Sequence, residues 1–260
     1  MYDFALQRPQ SLNEAIEALS AEGAQALAGG QTLIPTLKNR LASPDVLVSI
    51  GGISELQGVS ETDGNVSIKA GTTHGVVAAT VESYPALASL AGNIGDPAVR
   101  NRGTIGGSLA NNDPSACYPA AALASNASIT TNKRTISASD FFAGLFETTL
   151  DEGELITQVD FPVPDAANYQ KFDQPASRFA LVGVFVAKYG NDIRVAVTGA
   201  SEDGVFRWSE AESALGGNFS SSAIDGLEVD SEGMIEDIHG SKSYRANLIK
   251  VMTKRAVAAC

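Results

Sequence analysis

Two stretches of the chain set adjacent glycines among short polar side chains. Ala28-Gly29-Gly30-Gln31-Thr32-Leu33 lies within LAGGQTLIP, and Thr104-Ile105-Gly106-Gly107-Ser108 lies within RGTIGGSLANNDPSACYP. Adjacent glycines tolerate positive φ and let a ligand approach the backbone closely. Successive N–H groups in such a turn form an anion-binding nest, and a helix that starts just after it adds its own amides and dipole. Gln31, Thr32, Thr104 and Ser108 bring donors of short reach. A single Gly-Gly turn is ordinary punctuation of a fold. Two of them, both flanked by hydroxyl or amide side chains, suit a diphosphate gripped from both sides. Neither is a common nucleotide fingerprint, since the chain has no G-x-G-x-x-G and no Gly-Lys of a P-loop.

The other reactive residue types are sparse. Cys117, Cys260, His74 and His239 lie far apart and have no zinc spacing. Two cysteines cannot supply the four thiolates of an iron–sulfur cluster, so any cluster that serves this chain sits on another one. A structural disulfide is not expected. His74, in GTTHG, reads as a turn or helix-start histidine rather than a covalent anchor. Cys117 reads as a small buried residue, because no Cys-x-x-Cys partner exists for a redox thiol. Arg100 and Arg102 flank the second turn, where they either neutralise phosphate or pair with acidic side chains.

The 260 residues, 44% of them apolar and 18% charged, are enough for one large domain or two moderate ones. A net charge of −12 argues against nucleic acid or an anionic membrane as the main partner. No apolar run approaches the ~20 residues of a bilayer span. No basic-then-apolar leader opens the sequence, so a cytoplasmic location is expected.

The elements that position the turns alternate at first. YDFAL is a short strand, SLNE (Ser11 to Glu14) a capping box that opens a helix, and AQALAG a strand. A helix is expected over Thr32 to Leu41 and a strand over Asp45 to Ile50, completing a β-α-β-α-β unit. NVSIK is then a strand, GVVAATVESYP a helix stopped at Pro85, and PSACYPAAALAS a helix with its proline near the first turn. A hairpin turns at Asn132-Lys133, DFFAGLF is a short helix capped by Asp140, and ELITQVDFP is a strand. PVPDAAN (Pro162 to Asn168) reads as a linker. Beyond it, RFALVGVFVAKYGNDIRVAVTGAS is an antiparallel hairpin, and Trp208 to Leu215 and Ser243 to Ala259 are amphipathic helices. Arg245, Lys250, Lys254 and Arg255 surround the apolar face of the last helix, which is expected to pack within the C-terminal part. Trp208 is expected in the core.

LAGGQTLIPTLKNRLASPDVLVSIGGISEL together with IGDPAVRNRGTIGGSLANNDPSACYPAAALA closely resembles the FAD-binding medium subunit of the molybdenum hydroxylases, the family of carbon monoxide dehydrogenases and multi-subunit xanthine dehydrogenase-like enzymes. The resemblance continues through DEGELITQVDFP, YQKFDQPASRFALVGV and SYRANLIKVMTKRAV, and so covers the whole chain. It implies an α+β fold: a two-subdomain FAD-binding domain of the vanillyl-alcohol-oxidase (PCMH) type over 1–165, with subdomains at about 1–56 and 57–165. A smaller antiparallel-sheet-plus-helices domain of the carbon monoxide dehydrogenase flavoprotein type follows over 166–260.

The resemblance also implies non-covalent FAD. Ala28 to Leu33 and Thr104 to Ser108 would be the two pyrophosphate loops. Ile94 would be an apolar residue near the flavin, and Leu155 and Ile156 would bring backbone groups to the isoalloxazine edge. Lys171 would approach the flavin, and Asn112-Asp113 would run along the ribityl and phosphate side. The molybdenum cofactor and [2Fe-2S] clusters are expected only on large and small partner subunits, in a dimer of heterotrimers, with NAD or a quinone as electron acceptor. No side-chain acid–base pair is required for this electron relay, because the cofactor carries the redox chemistry. A self-contained flavin oxidase or reductase is the alternative, and a nucleotide-binding regulatory module a third reading. Two residues depart from the family pattern. Cys117 stands where many relatives have an Asp that helps hold the cofactor, so that either Asp113 takes over or the contact is absent, and Phe179 stands where some carry Tyr.

Overall fold

The computed structural model describes all 260 residues. The first unit alternates β1 (Ala5–Gln7), α1 (Leu12–Leu19), β2 (Ala24–Leu27), α2 (Leu33–Lys38) and β3 (Val46–Ser49). Its strands pair in parallel in the order β1-β3-β2. Ser11 caps α1 by accepting the Glu14 N–H at 3.2 Å, as a capping box requires. The return bond differs, because Glu14 Oε2 accepts from Gln10 N at 2.8 Å, one residue earlier than expected. α2 is shorter than the expected Thr32 to Leu41. Thr32 holds its N-cap position with no side-chain cap bond, and the chain turns away at Arg40, whose φ is 59°.

A longer helical and antiparallel region follows, beginning with β4 (Val59–Thr62), β5 (Asn65–Lys69), α3 (His74–Thr80) and α4 (Pro85–Gly92). It continues with α5 (Pro97–Arg100), α6 (Ile105–Asn111), α7 (Tyr118–Ala124), β6 (Ser128–Thr131), β7 (Thr135–Ser137) and α8 (Ala138–Phe141), and ends with β8 (Phe142–Gly144), β9 (Glu147–Thr148) and β10 (Ile156–Pro162). The main sheet runs β4-β5-β10-β6-β7 and is antiparallel throughout. Prolines open α4 and α5 and lie in the first turn of α7, where a missing N–H leaves no intrahelical bond unmade. The expected DFFAGLF helix is only half helix: α8 ends at Phe141 and the chain straightens into β8. Its N-cap is Ser137, not Asp140, which instead accepts from the Ser137 hydroxyl at 2.6 Å.

The last unit holds β11 (Ala166–Asp173), β12 (Ala180–Tyr189), β13 (Asp192–Thr198), β14 (Phe206–Arg207), α9 (Ser209–Gly217) and α10 (Lys242–Ala259). Its antiparallel sheet has the order β11-β12-β13-β14. The expected linker shrinks to residues 163–165, because β10 runs to Pro162 and β11 starts at Ala166. β12 reads as a nearly continuous apolar run because both of its faces are covered. Phe185 and Ala187, with Ala196 of β13, pack toward the alanines of α7. Val184 and Val186, with Val195 and Val197, face Trp208, Leu248 and Ile249. Trp208 is therefore core. Arg245 is buried rather than on the rim of α10, donating to the carbonyls of Leu181 and Gly199 and to Asp237 Oδ2 at 2.7–2.8 Å.

A third core joins Ala15, Leu19, Val48, Ile53 and Leu56 to Leu155, which brings the start of β10 against the first unit. No helix is long and apolar enough to cross a membrane.

Candidate functional site

The first glycine turn links β2 to α2. Gly30 has φ 71°, a left-handed conformation that a side chain resists. Gly29 is required by a neighbour: a Cβ there would lie 2.0 Å from the Arg102 carbonyl oxygen. The two turns are thus in backbone contact. Across this turn the N–H groups of Ala28, Gly29, Gly30, Gln31, Thr32 and Leu33 make no hydrogen bond within the chain. The Thr32 and Leu33 amides open α2, where a helix leaves its first donors without an intrahelical acceptor, and the four amides before them extend that free run.

The second turn is built differently. Thr104 caps α6 by accepting the Gly107 N–H at 3.1 Å, and Ser108 N bonds Thr104 O at 3.0 Å. Ile105 N donates to Thr72 O at 3.2 Å and Gly106 N to Ala70 O at 2.9 Å. Gly106 is glycine because a Cβ would meet Ala70 Cβ at 2.6 Å. Gly107 has more room, its nearest neighbours being Thr104 Oγ1 at 3.0 Å and Ala28 Cβ at 3.7 Å. The two turns are therefore not equivalent. The first presents free amides, and the second presents a close, side-chain-free wall with the Ser108 hydroxyl.

Between the turns opens a cavity of about 760 Å³, at the upper end of the ~300–1,000 Å³ typical of small-molecule sites. It is lined by Ala28 to Leu33, Ile94, Thr104, Gly106 to Ser108, Asp113, Leu155, Ile156 and Lys171. Two residues expected there do not line it. Ile105 is fully buried in the core against α7 and the main sheet. Asn112 turns away: its Nδ2 donates to the carbonyls of Gly144 and Glu147 at 2.7 and 2.9 Å. Leu155 lines the wall, but its backbone is engaged by Asn132, whose Oδ1 accepts the Leu155 N–H at 2.8 Å and whose N–H donates to Leu155 O at 3.0 Å.

The titratable groups of the wall are largely committed. The Lys171 ammonium, its side chain 5% exposed, donates to Asn93 O at 2.6 Å and Arg178 O at 3.0 Å and pairs with Asp173 at 2.9 Å. It thereby ties the turn carrying Ile94 to the loop carrying Phe179. Burial opposes ionisation of Glu154, yet hydrogen bonds from Arg134, the Asp151 N–H and Thr131 pull it down to about 2. His74 is lowered to about 4 by burial and then by the positive charge of Arg100, so its ring is neutral. Burial raises the Cys117 thiol, which stays protonated. Burial also raises Asp113, opposed by the Ser115 N–H that it accepts at 2.8 Å.

Sequence reasoning missed several wall residues, among them Phe146, Leu150, Glu154 and Arg178. Phe146 and Arg178 reach the cavity from left-handed backbone, with φ of 56° and 60°, which their residue types do not announce.

These residues fit FAD. The free amide array matches a diphosphate, Gly107 keeps a side chain out of the cradle, and Gly29 and Gly106 let the surrounding backbone close up behind it. His74 lines the cavity with its Nδ1 buried and unpaired.

Residues 2–164 match the family described as the FAD binding domain in molybdopterin dehydrogenase. The chain is 35% identical to the glyceraldehyde dehydrogenase medium chain of Sulfolobus acidocaldarius, over 98% of this chain and 97% of that one. It is 33% identical to the nicotine 6-hydroxylase medium subunit of Paenarthrobacter nicotinovorans, over 96% and 94%. Its structure superposes on a chain of the carbon monoxide dehydrogenase of Hydrogenophaga pseudoflava with a TM-score of 0.89 and 33% identity, covering 99% of this chain and 97% of that one. The amide-lined cavity and these likenesses agree that the chain belongs to the FAD-binding medium subunits of the molybdenum hydroxylase family.

Proposed function

We propose that the chain carries FAD as the electron-transfer subunit of a multi-subunit molybdenum-containing dehydrogenase. It receives electrons from an iron–sulfur partner subunit and passes them to an external acceptor, NAD or a quinone. The observation that carries this reading is the run of six unpaired amides, Ala28 to Leu33, on the wall of a dinucleotide-sized cavity. In this reading those amides bind the diphosphate, Gly107 and Ser108 close its other side, and Ile94, Leu155, Ile156 and Lys171 surround the isoalloxazine.

Bound FAD supplies acceptance and release of one or two electrons. The protein's part is to hold and orient. Lys171 fixes the two loops around Ile94 and Phe179, Glu154 and Asn132 fix the start of β10, and the neutral His74 and Cys117 leave the floor uncharged. Asp113 takes the place of the carboxylate that Cys117 does not supply. The large and small subunits, in a cytoplasmic dimer of heterotrimers, carry the molybdenum cofactor and the [2Fe-2S] clusters.

Co-expression with its neighbouring genes tests the reading. It predicts a yellow complex that releases FAD on mild denaturation and contains molybdenum and iron–sulfur subunits. A colourless chain, or an isolated yellow chain that oxidises a small organic substrate unaided, contradicts it.

A further inference from the structure

Asn112 ends α6 in the left-handed region, at φ 42°, and is 3% exposed. Three hydrogen bonds join it to one turn, the tip of the β8–β9 hairpin. Its Nδ2 donates to Gly144 O at 2.7 Å and Glu147 O at 2.9 Å, and its own carbonyl accepts the Phe146 N–H at 3.0 Å. Phe146 is itself left-handed, at φ 56°, which an aromatic residue rarely adopts. Such a conformation persists only where its surroundings hold it, and it concentrates at functional sites. Here the holder is a buried amide. The ring it holds is 59% exposed and lies on the wall of the FAD cavity. A two-stranded hairpin of three and two residues has little stability of its own, so the Asn112 bonds set its place.

We propose that Asn112 is a positioning residue of the FAD site, holding the 144–147 turn so that the Phe146 ring closes the edge of the cavity over bound FAD. The proposal rests on the FAD reading above. Its chemistry is coverage: a part-exposed aromatic ring gains a partner surface when the cavity fills, which shields the cofactor from water and solutes.

The full-length chain is titrated with FAD, and the bound flavin is challenged with iodide, a collisional quencher. Asn112→Gly keeps the left-handed backbone and the carbonyl bond to Phe146 but removes both Nδ2 bonds. Phe146→Ala removes the ring and no buried bond. Each variant is expected to weaken FAD retention about tenfold, the scale of part-burying one aromatic ring, and to raise iodide quenching. The thermal midpoint of the FAD-free chain should move by only a few degrees. Because Asn112 acts through Phe146, the double variant should be no worse than either single one. Asn112→Asp, which turns a carboxylate on two carbonyls, should behave like Asn112→Gly.

Wild-type affinity and wild-type quenching in Asn112→Gly overturn the proposal, as does a double variant in which the two losses multiply. Should Asn112→Gly fail to fold, an unchanged Phe146→Ala overturns it alone. A wild-type chain that takes up no FAD sinks the FAD reading as well, so the two failures are distinct.

Discussion

Gly29→Ala tests the contact between the two turns. The added Cβ would lie 2.0 Å from Arg102 O, 2.6 Å from Arg102 C and 2.8 Å from Gly103 Cα. All three atoms are backbone, so no rotamer change relieves the clash. To restore ordinary van der Waals contact at 3.4 Å, the turns must part by about 1.4 Å. That shift moves the free amides of residues 28–33 relative to the Gly107 wall. A hydrogen bond to a charged group contributes about 1.5–3 kcal/mol. Losing two such bonds to a diphosphate costs about 3–6 kcal/mol, on the order of 10²–10⁴-fold in FAD affinity. The fold suffers less. Overpacking one methyl costs about 1–3 kcal/mol, which lowers the midpoint of a chain this size by roughly 2–12 °C. The assay is FAD titration of the FAD-free chain by fluorescence, beside thermal melts of the same protein. Gly52→Ala is the control, since nothing lies within 4 Å of its Cβ position. FAD affinity within twofold of wild type in Gly29→Ala would falsify the reasoning.

Other perturbations read other parts of the site. Gly107→Val adds branches beside the cavity, where the nearest atoms are Thr104 Oγ1 and Ala28 Cβ, and should abolish FAD retention while the far-ultraviolet circular dichroism stays native. Lys171→Ala leaves the carbonyls of Asn93 and Arg178 without their donor, so the FAD-free chain should lose about 1–3 kcal/mol in urea denaturation. His74 ionises near 4 when folded instead of near its ordinary 6.5, so the unfolded chain binds its proton first as pH falls. The stability from its neutral burial is complete above pH 6.5 and declines toward pH 4, by about 3 kcal/mol in all. Urea midpoints of wild type and His74→Gln should diverge at pH 7.5 and converge toward pH 4.5.

Much of the site was legible because local chemistry carries it. Gly30 needs its positive φ, Ser11 caps a helix, and the glycines flag close approach, whereas α6 and its Thr104 cap were not read from the sequence. The inequality of the two turns was not legible. Whether Ile105 and Gly106 have free amides depends on the carbonyls of Thr72 and Ala70, more than thirty residues upstream, and nothing in TIGG records that pairing. Asn112 misled for a related reason. Its neighbour Asp113 does line the cavity, but a left-handed Asn112 sends its side chain to the 144–147 turn instead. Residues 162–168 looked like a linker from their Pro, Asp and Asn content, yet Pro162 still belongs to β10, and Ala166 and Asn168 already pair with β12. The burial of Arg245 was equally hidden, since its three acceptors come from the end of β13, the start of β12 and the loop before α10.

The central claim is that the Ala28–Leu33 amides, and not those of the second turn, bind the cofactor's diphosphate. Amide hydrogen exchange measured on the full chain with and without FAD tests it most directly. The amides of residues 28–33 have no partner within the chain, so they should exchange fast without FAD and slow sharply when it binds. Those of residues 105–108 are already bonded and should change far less. Protection that appears at 105–108 while 28–33 stay fast would contradict the account.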